Sequence, residues 1–253
     1  MTLVRSVLFD LAFYLWTVLL SVLALPVLLV SQRATLWISE LWAIVSFMLL
    51  QLIVGLSYEV RGERNLPAGP VIVALKHQSA WDTVALWILF KNPAVILKQS
   101  LARIPVFGWY MKRGGAIIID RNAGAKALKP MVVAARSAAA EGRPIVIFPE
   151  GTRTGVGAHG PYHPGVAALY TQLGLPIVPV ALNSGLFWGR RSFLKRSGKI
   201  LVEFLPAIES GLDRRHVLAD LERRIEQATA MLVAESKAVK NISQGIPATS
   251  EQR

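Results

Sequence analysis

Hydrophobic positions along the chain follow two different patterns. In the first, Leu11 to Val30 is an uncharged run of 20 residues. At about 1.5 Å per residue, a helix of that length covers roughly 30 Å, the hydrocarbon thickness of a bilayer. A polar break, Ser31 to Thr35, separates it from a second apolar run, Leu41 to Leu56, whose one amide is Gln51. Two such runs so close together predict a helical hairpin over residues 1–58, with Trp16, Trp37 and Trp42 as interface anchors. The shorter second run and Pro26 in the first leave open whether the hairpin crosses the bilayer or lies in one leaflet. The first run is long for a signal peptide and no clear small-x-small site follows it, so the hairpin reads as a retained anchor.

From residue 59 the pattern changes. Apolar runs of four to six residues recur at 71–75, 94–97, 116–119, 145–148, 177–182 and 200–204. Such runs read as strands buried on both faces, the habit of sheets covered by helices. The Ala-rich stretch 127–140 between two of them reads as a helix. Near the C-terminus, Leu218, Leu221, Ile225, Ala228 and Leu232 form one stripe of an amphipathic helix. The expected fold is therefore α/β: a mixed, mostly parallel sheet covered by helices over residues 59–240. The apolar hairpin precedes it, and a polar tail, 241–253, follows.

Composition sharpens this division. The chain has 253 residues, 53% of them hydrophobic and only 17% charged, with 28 Lys+Arg against 16 Asp+Glu and no cysteine. Disorder is excluded by the hydrophobicity, and disulfides, Cys-ligated zinc and thiol nucleophiles by the missing cysteine. Bases and acids cancel within residues 1–58, so the net charge of +12 belongs to the segment beyond. Between residues 91 and 200 stand 16 bases and 3 acids. They are scattered among strands and no nucleic-acid motif accompanies them, so a nucleic-acid partner is not expected. Beside an apolar anchor, this basic character suits anionic membrane lipid.

The sharpest local signal is Lys76-His77-Gln78-Ser79-Ala80-Trp81-Asp82, directly after the 71–75 strand. Ser79 and Asp82 have capping-box spacing ahead of a helical stretch, 83–90. On a regular helix His77 and Asp82 would face apart, because five residues turn about 500°. With His77 two residues ahead of the N-cap, the chain can fold back and bring the ring to the carboxylate. A carboxylate accepting the Nδ1–H would fix the tautomer and leave Nε2 to take a proton from a hydroxyl. The plainer alternative is a capped helix beside a surface histidine. A second group, Phe148-Pro149-Glu150-Gly151-Thr152-Arg153, also follows a strand, where ligand crevices of open α/β sheets form. Arg153 offers a planar fork suited to phosphate, Gly151 permits a tight turn, and Glu150 is an acceptor for a substrate hydroxyl. Its plainer alternative is a turn with a surface Glu–Arg pair.

Taken together, these residues resemble the glycerolipid acyltransferases. The resemblance runs in order along most of residues 58–205: the His77-x4-Asp82 box, Leu97–Leu101, Ile104–Gly108, Gly115–Arg121, Phe148–Arg153, and the proline-containing Val178–Ala181. It implies acyl transfer, with His77 as general base on the free sn-2 hydroxyl of lysophosphatidic acid and Asp82 orienting it. The hydroxyl would attack the thioester of acyl-CoA or acyl carrier protein directly and yield phosphatidic acid, with no cofactor and no metal. The resemblance associates Lys98, Arg121 and Arg153 with the acceptor's phosphate, and Glu150, Gly151 and Thr152 with the acceptor-binding block. The thioester oxyanion would need a donor, and the backbone N–H groups near Gly151 and Ser79 are both candidates.

This sequence departs from the family pattern at two places. Lys76 stands where the family often has Asn, and Pro161-Tyr162-His163-Pro164-Gly165 replaces a Lys-containing stretch, which puts the acceptor headgroup in question. Another lysolipid acceptor and a non-catalytic basic membrane scaffold are the remaining readings. The pair His159-x3-His163 has the spacing of a metal site on a helix, but Gly160, Pro161 and Pro164 oppose a helix there. Segment 185–196 interleaves aromatics with bases, as a loop that dips into headgroups would. Cytosolic thioester donors, with Arg5, Arg61 and Arg64 flanking the hairpin, imply a bacterial inner-membrane protein whose catalytic domain faces the cytoplasm.

Overall fold

A computed structural model describes residues 1–243; beyond Ser243 the expected polar tail lies outside the described residues. The chain begins with α1 (Thr2–Leu23), α2 (Val27–Val30) and α3 (Gln32–Leu49), which a π-helical turn extends through Val54. Between the long helices the chain therefore leaves helical geometry twice, at residues 24–26 and at Ser31, the first residue of the expected polar break, which is extended. Pro26 explains the earlier break, since it has no N–H to continue the ladder of α1. The rest of the polar stretch starts α3, where the Ser31 side chain caps by accepting from the Ala34 N–H at 3.1 Å. α1 and the continuous helix from Gln32 to Val54 are each long and apolar enough to cross a membrane.

Strands follow at β1 (Leu56–Arg61), β2 (Ile72–Leu75), β3 (Ala94–Lys98), β4 (Ile117–Ile119), β5 (Ile145–Ile147), β6 (Ile177–Leu182) and β7 (Gly198–Phe204). Between them lie α4 (Trp81–Leu89), α5 (Gln99–Ala102), α6 (Phe107–Arg113), α7 (Leu128–Ala140) and α8 (Pro164–Leu173), and α9 (Arg214–Ser243) ends the described chain. The strands form one sheet in the order β1-β7-β6-β2-β5-β3-β4. Five neighbours, β6 through β4, are parallel; β7 runs antiparallel to β6, and β1 pairs parallel with β7. The strand pattern expected from the sequence is present, with one addition. β1 was not predicted, because its residues Leu-Ser-Tyr-Glu-Val-Arg are only partly buried and lack a continuous apolar run.

Alternation along the central strands divides the core between two faces. Ile72, Ala74, Ile145, Ile147 and Ile177 meet α7, α8 and α9 on one side. Val71, Val73, Leu75, Val146 and Val178 meet α4 on the other, together with Phe9, Leu50 and Val54. The hairpin is thus not a pendant anchor: one end of it closes a face of the sheet. Its outer surface stays apolar and exposed, with Leu3, Val4, Leu8, Leu11, Leu15 and Val18 on α1 alone. Of the three tryptophans, Trp37 is exposed. Trp16 and Trp42 instead hold the two helices together through their indole N–H groups, which donate to the Trp42 carbonyl and the Thr17 hydroxyl.

Candidate active site

β2 and β5 are adjacent and in register, but the helices that follow them leave to opposite faces, α4 to one and α8 to the other. This is the topological switch point at which open α/β sheets form their crevice. The residues singled out in the sequence leave the carboxyl ends of successive strands there: His77 after β2, Glu150 to Arg153 after β5, Lys98 at the end of β3 and Arg121 after β4.

His77 Nδ1 lies 2.9 Å from Asp82 Oδ2. A carboxylate can only accept, so Nδ1 carries the hydrogen and Nε2 is the basic nitrogen. The chain folds back as the helix-start reading requires, and Asp82 drives it: Oδ2 also accepts from the backbone N–H groups of Gln78 and Ser79, at 2.7 and 2.8 Å. The capping pair forms as expected, the Ser79 hydroxyl accepting from the Trp81 N–H while Asp82 accepts from the Ser79 N–H; Ala80, which makes no cap bond, stands between Ser79 and the first residue of α4. The second Asp82 oxygen accepts from Ser184 Oγ at 2.6 Å. Asp82 is fully buried and His77 is 8% exposed, with its ring stacked on Phe148 at 3.9 Å.

Glu150 is placed differently from its sequence reading. The residue is 2% exposed and its carboxylate is occupied by protein donors: Lys76 Nζ and Thr154 Oγ1, each at 2.9 Å, and the Gly160 N–H at 3.2 Å. The physical reason is the buried Lys76 ammonium, which needs a carboxylate partner more than solvent or substrate does. Gly151 is a true turn glycine, with φ +66°, and a Cβ there would lie 2.8 Å from the His163 ring and 3.0 Å from Arg121 Nη1. Arg121 donates to the Gly151 carbonyl, so Arg121, His163 and Gly151 form one cluster. Thr152 is exposed and Arg153 half-buried on the same turn. Lys98 is exposed and pairs in register with Ile119, two residues before Arg121.

Of the backbone N–H groups near Gly151 and at the helix start, those of Ser79 and Gly151 themselves are engaged, with Asp82 and with the Phe148 carbonyl. Among the described residues no group of three His, Asp or Glu side chains has the geometry of a metal site; His159 lies in the loop before α8 and His163 at its N-cap. Sequence reasoning missed Ser184 and Thr154, and gave Phe148, though part of the second group, no role beside the imidazole. Ser184 and Thr154 had a faint signal, since each lies within five residues of a recognised block.

A carboxylate-held imidazole at the carboxyl ends of parallel strands, with a basic turn beside it, is an arrangement suited to general-base chemistry. Residues 57–183 match the acyltransferase family model, and the chain belongs to that family. It is 32% identical over 241 residues to the 1-acyl-sn-glycerol-3-phosphate acyltransferase of Pseudomonas aeruginosa, covering 94% of this chain and 93% of that one. Its similarity to the human 1-acyl-sn-glycerol-3-phosphate acyltransferase alpha is 32% identity over 206 residues, 79% of this chain and 71% of the human one. The fold is shared with the 1-acyl-sn-glycerophosphate acyltransferase of Thermotoga maritima, at a TM-score of 0.76 and 19% identity, over 92% of this chain and 98% of that structure.

Proposed function

We propose that the protein transfers a fatty acyl group from acyl-CoA or acyl carrier protein to the free sn-2 hydroxyl of 1-acyl-glycerol-3-phosphate, giving phosphatidic acid. The observation that carries this is the Nδ1–Asp82 hydrogen bond, which leaves His77 Nε2 as the base. Nε2 takes the hydroxyl proton as the oxygen attacks the thioester carbonyl, and the tetrahedral intermediate then expels the thiolate, which the imidazolium protonates. Asp82 stabilises that imidazolium and keeps its tautomer. Arg121, Arg153 and Lys98 supply positive charge for the glycerol phosphate, with His163 beside Arg121 in place of a lysine. Gly151 and Thr152 shape the turn that receives it. Glu150 acts from behind the site and does not bind the acceptor. No cofactor takes part.

The apolar outer face of the hairpin supports a membrane site of action, where both the acceptor and the product reside. Cytosolic thioester donors imply a catalytic domain on the cytoplasmic face of a bacterial inner membrane, with the basic domain drawn to anionic lipid. The test is an acyl-transfer assay of the full chain over a panel of lysolipids with both donors. Lysophosphatidic acid should be the preferred acceptor, and His77→Ala should lose at least about 10³-fold in kcat with its circular dichroism unchanged. A His77→Ala variant turning over at the wild-type rate would remove the general-base role.

A further inference from the structure

The acyl-transfer chemistry gives Lys76 no task. Yet it is fully buried, and its Nζ lies 2.9 Å from Glu150 Oε1 and 2.6 and 2.9 Å from the two carboxylate oxygens of Glu226 on α9. An ammonium survives such burial only because anions offset its lost hydration. Two carboxylates on one ammonium leave an excess negative charge, which neutral donors share. Tyr162 donates to Glu226 at 3.0 Å, and Thr154 and Gly160 donate to Glu150. Burial, then the neighbouring Glu226 and Glu150 charges, push the Tyr162 phenol far above its ordinary range, so it remains a donor.

This cluster meets the base through its main chain. Glu150 Oε2 accepts from the His77 N–H at 3.4 Å. Thr154, whose hydroxyl is bonded to Glu150, donates its own N–H to the His77 carbonyl at 2.9 Å. The imidazole is fixed at its tip by Asp82, and the peptide that carries it is fixed by groups that Lys76 orders.

We infer that Lys76 and Glu226 are positioning residues for the acyl transfer: their buried ion pair holds Glu150 and Thr154 against the main chain of His77 and makes α9 part of the active site. This rests on His77 being the base. A purely structural ion pair would change stability and leave turnover of the folded protein intact.

The test uses the full chain in detergent micelles, with lysophosphatidic acid and acyl-CoA, and compares Lys76→Met, Lys76→Met/Glu226→Leu, Glu226→Gln and His77→Ala. Lys76→Met should lower kcat by about 10–100-fold, the scale of a misplaced catalytic group. Both KM values should stay within about threefold, because substrate binding is untouched. Its melting temperature should fall, because the buried Glu150 and the partly buried Glu226 lose their shared cation. The double variant removes one of the two stranded carboxylates but leaves Glu150 without its cation, so its melting temperature should recover only in part while kcat stays low. Recovery of kcat together with stability would make the pair merely structural and overturn the inference. Glu226→Gln keeps the shape and folds even where Lys76→Met does not; it should lower kcat at unchanged KM, and a wild-type kcat there overturns the inference as well. An active His77→Ala variant is a separate failure, since it removes the base reading itself and the inference with it.

Discussion

Asp82 accepts four hydrogen bonds while fully buried, and it shows most clearly how the site is set. Asp82→Asn keeps the shape but loses the charge that stabilises the imidazolium, and its amide N–H can face Ser184 Oγ, a hydroxyl able to turn and accept, or else His77 Nδ1 with the Gln78 and Ser79 N–H groups. The expected result is a large loss in kcat, up to about 10⁴-fold if the imidazole takes the wrong tautomer, with near-native circular dichroism. Arg153 has no side-chain hydrogen bond among the described residues and so is free for an anionic substrate. Arg153→Ala should raise the acceptor KM more than the donor KM, as steady-state kinetics with each substrate varied will show; the reverse pattern means the phosphate binds elsewhere. The His77–Asp82 pair was legible in the sequence because both residues belong to one turn, where local spacing decides geometry. Ser184 and Thr154 were not, because they reach the pair from 102 and 77 residues away along the chain. Glu150 was legible as a site residue, but its direction was not, since that depends on a lysine from the neighbouring strand.

At the scale of elements, the hairpin and the sheet are less separable than their hydropathy suggests. Phe9, 1% exposed, sits in the same core as Val73, Val178 and Leu182 and meets the Trp188 ring edge-on at 5.6 Å. Phe9→Ala should therefore destabilise the α/β domain by about 3–5 kcal/mol, read as a lower melting temperature in detergent; an unchanged value would show that α1 only rests on the domain. The loop after β6 is bound to the same helix. Lys195 pairs with Asp10 and lies about 5 Å from the Trp188 and Phe193 rings. Segment 185–196, expected from its composition at the headgroups, thus spends its lysine on α1 and leaves Phe193 half exposed. Buried parallel strands were readable because both their faces are apolar. β1 was not readable, since an edge strand with mixed burial has no such run.

For the whole molecule, the question is what holds it to a membrane. The net charge of +12 favours anionic lipid, but screening shortens electrostatic reach to about 3 Å at 1 M salt. The exposed Leu and Val residues of α1, with Trp37, Met48 and Leu52 on the second long helix, are indifferent to salt. The full chain should therefore stay bound to vesicles of anionic and zwitterionic lipid through a 1 M salt wash, as flotation will measure. Release by salt would mean that charge alone holds it. α9 extends the same lesson, since its stripe of Val217, Leu221 and Ile225 packs on the sheet and carries Glu226 to the buried Lys76.

By itself the sequence determined the two regimes, the α/β class, the family resemblance and the local His77–Asp82 turn. All of these follow from hydrophobic period and short-range spacing, which act between neighbours in the chain. Only the tertiary structure decided that the hairpin closes a face of the sheet, that the Glu150 carboxylate bonds Lys76, and that α9 brings Glu226 to the same ammonium. Those outcomes depend on which groups must share a buried, low-dielectric space, where an unpaired charge or donor is costly. The partners that satisfy them are chosen by the packing of distant segments, and no local pattern of residues records that choice.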